Sequence, residues 1–99
     1  METSSNTNSP ARFVMATKAL LGALGLGQKE LATWLDLGQG SISLKLSNKS
    51  AWTLEQVDRV AELFGLPTET LIRGEVPLDQ LNPAEVRERL SLLTRVTGR

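Results

Sequence analysis

Apolar residues recur along this chain at spacings of three and four, the period of one helix face, and nowhere alternate long enough for a half-buried strand. Residues 1–9 are mostly Ser, Thr and Asn, too polar to repay the entropy of ordering, and read as a flexible arm. Ser9-Pro10 has the chemistry of an N-cap and first helical position. A first helix is therefore expected from about Pro10 to Leu24, with Phe13, Leu20, Leu21 and Leu24 inward and Gly25 ending it. Leu31, Ala32 and Leu35 place a second helix over Gln28 to Leu35. The punctuated stretch Asp36-Leu-Gly-Gln-Gly-Ser41 leads into a short third helix reaching about Ser47, with Ile42 and Leu46 one turn apart. Thr53-Leu-Glu-Gln56 is a capping box, and the fourth helix it opens carries a stripe of Leu54, Val57, Ala61 and Phe64 before Gly65-Leu-Pro67 breaks it. A fifth helix, Thr68 to Ile72, closes the core with Leu71 and Ile72, and Gly74-Glu-Val-Pro77 reads as a linker. Asn82-Pro83-Ala-Glu85 then supplies a cap, a first-turn proline and a first-turn acid for a sixth helix, Pro83 to about Arg95.

Ninety-nine residues, 40% of them apolar, bury a single core. With no Cys and no His, disulfides, Cys/His zinc sites and histidine acid/base catalysis are excluded. Glu55, Asp58 and Glu62 have the spacing of a solvent-facing helix surface rather than of a carboxylate pair. No apolar run reaches the roughly 18–20 residues of a membrane helix, and the opening Met-Glu-Thr-Ser-Ser-Asn lacks the basic and apolar regions of a leader. A cytoplasmic protein is expected. The formal net charge of zero argues mildly against a nucleic-acid partner, but the charges are unevenly spread. Residues 11–50 carry Arg12, Lys18, Lys29, Lys45 and Lys49 against Glu30 and Asp36, whereas residues 51–99 hold six Arg against eight acids.

The basic half contains the most informative stretch, Gln28-Lys-Glu-Leu-Ala32-Thr-Trp-Leu-Asp36-Leu-Gly38-Gln39-Gly-Ser-Ile42-Ser-Leu-Lys-Leu46. Two short helices cross steeply only if a small residue sits at their closest approach, which is Ala32 here. Between them one residue must tolerate the left-handed region, and either Asp36 or Gly38 can supply it. Ile42 then plugs the third helix into the core, leaving its far side outward.

This ordered set resembles the lambda-type phage repressor and Cro helix-turn-helix (XRE-like) family over about residues 15–74. The matching positions are Gln28, the small residue Ala32, Gln39 and Ile42, followed by Trp52-Thr-Leu-Glu and Ala61-Glu-Leu-Phe-Gly-Leu-Pro-Thr-Glu-Thr-Leu71. Two positions depart from the family: Asp36 stands where Gly is usual, and Leu44 where a polar base reader is frequent. The resemblance implies an all-α fold, a five-helix lambda-repressor-like DNA-binding domain over residues 10–74 with an additional C-terminal helix in 75–99. It implies a double-stranded DNA partner read in the major groove. Gln39 would bond an adenine edge and Leu44 meet a thymine methyl, with Gly40, Ser41 and Ser43 close to the groove floor. Phosphate contacts are implied at Gln28, Lys49 and Ser50, and the candidate set extends over Lys29, Lys45, Ser47 and Asn48. Leu44 packs inward instead if the short helix is rotated. Trp34 and Trp52 read as packing residues rather than stacking platforms.

Family members usually bind pseudo-palindromic operators as dimers, and repression follows from excluding polymerase. Leu81, Val86, Leu90, Leu93 and Val96 form a stripe beyond the five-helix unit, expected either to dimerise or to pack back on its own domain. No catalytic residue, metal, cofactor, small-molecule ligand or membrane contact is expected. The alternative is an antitoxin-type interaction module that carries the same DNA-binding domain and whose C-terminal helix masks a partner.

Overall fold

A computed structural model describes the backbone of residues 3–97 and the side chains of residues 11–93. The element order is α1 (Thr3–Leu24), α2 (Gln28–Leu35), α3 (Gln39–Leu46), α4 (Leu54–Phe64), α5 (Thr68–Ile72), a 3-10 turn (Leu78–Gln80) and α6 (Pro83–Thr97). The described residues are all-helical, without a strand. None of their helices is long and apolar enough to cross a membrane.

Local chemistry sets most of these boundaries. Four helices end in a residue of left-handed backbone, Gly25, Asp36, Asn48 and Gly65, with φ between +60° and +70°. At each the following N–H turns back to a carbonyl of the last turn: Leu26 to Leu21, Leu37 to Ala32, Lys49 to Leu44 and Leu66 to Ala61. Of the two residues that the α2–α3 turn offered, Asp36 takes the left-handed conformation, while Gly38 is extended and caps α3. Thr53 Oγ1 accepts from the Gln56 N–H and Gln56 Oε1 from the Thr53 N–H, completing the expected capping box. Asn82 Oδ1 likewise accepts from the Glu85 N–H and opens α6.

The first helix begins earlier than its sequence suggests. Residues 1 and 2 of the expected arm lie outside the described residues, but the backbone is helical from Thr3 and Pro10 lies inside α1. Once residues 13–24 are anchored by packing, upstream turns extend an existing helix and avoid the cost of nucleation.

The core gathers Phe13, Leu20 and Leu24 from α1, Leu31 and Trp34 from α2, Ile42 and Leu46 from α3, Val60, Leu63 and Phe64 from α4, and Leu71 from α5. Leu54, expected in the α4 stripe, is 71% exposed, because the capped first turn lies beyond the contact that starts at Val57. α6 does not wait for a partner. Val86 is 0% exposed within its own domain, and Leu81, Leu90 and Leu93 pack against the core; Val96 lies outside the described side chains. Two arginines pin this helix, Arg87 Nη2 donating to the Leu24 carbonyl at 2.8 Å and Arg89 Nη1 to the Leu63 carbonyl at 2.9 Å. Both carbonyls lie at helix C-termini, where the exposed dipole ends favour a cation.

Thr17 is fully enclosed in this core, and its Oγ1 has no hydrogen-bond partner among the described atoms. Valine has nearly the same shape without the orphaned hydroxyl, so Thr17→Val should stabilise the fold by about 1 kcal/mol. A melting curve should rise by roughly 4–8 °C. A fall would mean that the hydroxyl is satisfied.

Candidate nucleic-acid interface

α3 is amphipathic in an unusual way, since its inward side carries a charge and its outward side none. Ile42, Leu46 and Lys45 are buried; Gln39, Gly40, Ser41, Ser43 and Leu44 are exposed. At about 100° per residue, the direction opposite Ile42 falls between Gly40 and Leu44, each roughly 20° from it. Leu44 is 50% exposed, so the helix is not rotated to bury it. Gly40, Ser41, Ser43 and Leu44 thus share one uncovered face, which α2 and the core hold from behind, and Gln39, about 60° from Ile42 by register, is exposed at the first position of the helix.

Lys45 is a correction to the phosphate set. It is only 7% exposed, its Nζ donates to the Ala51 carbonyl, and it lies 5.7 Å from the centre of the Trp52 ring. The helical register places it about 60° from Ile42, and its long alkyl stem lets the inward position end on a polar partner. Trp52 completes the anchor: its Nε1 donates to the Lys45 carbonyl at 3.2 Å, and its ring meets Phe13 edge-on at 4.8 Å. The segment between these residues is therefore tied to the core at both ends. It carries Asn48, whose left-handed backbone ends α3, the exposed Lys49 and the half-buried Ser50. Ser47 is exposed, but its hydroxyl donates to the Ser43 carbonyl at 2.7 Å and is occupied within α3.

The other phosphate candidates, Gln28 and Lys29, are exposed at the start of α2. Gly27 caps that helix without a side chain, and Glu30 Oε1 accepts the Gly27 N–H at 2.8 Å. This bond holds the Glu30 carboxyl below its ordinary range, with its own backbone N–H and Lys29 acting in the same direction. With the Glu30 carboxylate already on the Gly27 and Glu30 amides, phosphate contact at this helix start falls to the exposed side chains of Gln28 and Lys29.

Position is fixed from below by a reciprocal clasp between α2 and α4. Trp34 Nε1 donates to the Arg59 carbonyl at 2.7 Å, Arg59 Nη2 donates to the Trp34 carbonyl at 2.8 Å, and the guanidinium lies 4.5 Å from the indole centre. Both tryptophans pack, as expected, Trp34 buried under Arg59 and Trp52 half-buried against Phe13 and Lys45. Among the described residues no group of three His, Cys, Asp or Glu could hold a metal.

A family model described as the BetR domain matches residues 11–96. The chain belongs to the BetR domain family. No curated protein and no solved structure gave a match. The BetR domain is of the helix-turn-helix DNA-binding type, which makes the chain a DNA-binding regulator in general terms. The match takes in α6 to residue 96, and the described packing runs to Leu93, so this BetR domain includes α6.

The roles of Lys45 and of Arg87 and Arg89 were missed in the sequence reading. Register alone would have turned Lys45 inward, and the glycines at 25 and 65 marked helix ends with carbonyls to satisfy.

Proposed function

We propose that this BetR domain is a sequence-specific transcriptional repressor, of the phage Cro or immunity-repressor type, that lays α3 in the major groove of its operator. The observation that carries the reading is the division of α3 into a side locked in the core by Ile42 and Leu46 and the exposed residues Gln39, Gly40, Ser41, Ser43 and Leu44. Gln28, Lys29, Lys49 and Ser50 hold the flanking phosphates and set the register, while base edges meet α3. Two copies occupy successive major grooves of a pseudo-palindrome, about 34 Å apart. Their pairing does not draw on Val86, which is enclosed in its own domain. The regulator works by occupancy in the cytoplasm, excluding polymerase from the promoter, with no catalytic step, cofactor or small-molecule ligand.

Titration of the purified chain into duplex DNA from upstream of its own coding sequence tests this. Two phosphate contacts already predict about tenfold weaker binding when salt is raised from roughly 50 to 200 mM. Absence of a salt-sensitive complex removes the reading.

A further inference from the structure

The exposed side of α3 is as informative for the side chains it lacks as for those it has. Guanine is most often read by Arg or Lys bonding O6 and N7, and cytosine N4 by a carboxylate. Neither type stands among Gln39, Gly40, Ser41, Ser43 and Leu44. The one charged residue of α3, Lys45, is spent on the Ala51 carbonyl and the Trp52 ring. What remains suits the other base pair. A Gln amide bonds adenine N6 and N7 together, and an apolar side chain has one apolar feature to meet in the major groove, the thymine C5-methyl.

Relief on this face supports the same assignment. Gly40 and Leu44 are one turn apart on the ridge farthest from the core, so the crest is a notch beside an apolar knob. Nothing inside the protein accounts for the notch. A Cβ on Gly40 would meet no heavy atom within 4 Å, and the backbone there is ordinary helix. Glycine is a poorer helix former than alanine even here, at the second position of α3, and no contact within the described residues offsets that, so its benefit lies outside the molecule. Gly38, at the cap of the same helix, also has open space above it.

We propose that the half-site facing α3 is A·T-rich and is read by its methyl groups and adenine edges, with a thymine methyl against Leu44 and close approach of the groove floor at Gly40. This rests on the major-groove reading above and specifies its target.

The test uses the full chain. Selection from random duplexes should enrich half-sites whose central positions are A·T. In the selected duplex, replacing thymines one at a time by deoxyuridine removes only the C5-methyl. At one position this should weaken binding about fourfold, the worth of one buried methyl group. Leu44→Ala should bind the thymine and uracil forms of that position equally, while still losing affinity at other changed base pairs. Gly40→Ala should melt at the same or a higher temperature yet bind the selected site more weakly. Selected half-sites centred on G·C, uracil tolerated at every position, or full affinity in Gly40→Ala would each overturn the inference while salt-sensitive DNA binding stands. Loss of all duplex binding by the wild type would instead remove the repressor reading itself.

Discussion

A chain cut after Gly74 is expected to melt far below the full-length protein, or to be largely unfolded at room temperature. The cut removes Val86 from the interior and uncovers the surfaces of α2 and α4 on which Leu90 and Leu93 rest. It also frees the Leu24 and Leu63 carbonyls from Arg87 and Arg89. Each well-buried aliphatic side chain contributes about 1.5–3 kcal/mol, so losing one fully and three partly amounts to roughly 5 kcal/mol. That is comparable to the whole stability of a small domain, which starts at about 5 kcal/mol. Circular dichroism melts of both chains, with light scattering at matched concentration, check it. An unchanged melting temperature with a halved particle mass would return the C-terminal stripe to a dimer interface. The sequence alone left both fates open, because an apolar stripe states that a helix has a buried face and not whose core buries it.

The second large effect separates reading from holding. Gln39 is exposed at the first position of α3, whereas Lys49 projects from the loop behind Asn48. Gln39→Ala should cost about 1–3 kcal/mol on the preferred duplex and almost nothing on random DNA. Lys49→Ala should weaken both duplexes alike and lower the slope of log affinity against log salt by about one. Neither side chain supports the core, so both variants should melt with the wild type. Equal losses on the two duplexes for both variants would dissolve the division of labour between helix and loop.

The helix boundaries most legible in the sequence were those written in local chemistry. Thr53 with Gln56, Asn82 with Glu85, and the left-handed ends at Gly25 and Gly65 each act within one turn, so a short window suffices to see them. The outward face of α3 was legible for the same reason, since Ile42 and Leu46 fix its rotation. Three things were not. Leu54 fits the α4 stripe by spacing, but spacing says nothing about where along a helix the core begins. Lys45 carries a charge that masks an inward position, and its destination, the Ala51 carbonyl, depends on the path of the following loop. The start of α1 depends on how firmly the rest of the helix is packed, which no property of residues 3–9 records.

The clasp of α6 also bears on the order in which the protein is made. Synthesis runs from the amino end, so α3 leaves the ribosome well before Val86, Arg87 and Arg89 arrive to close the core over α1 and α4. A nascent or prematurely terminated chain therefore holds every candidate base reader without the wall that keeps them in place. Competence to bind DNA is acquired late, with α6, and fragments ending near residue 74 are material for proteases rather than rivals of the finished domain.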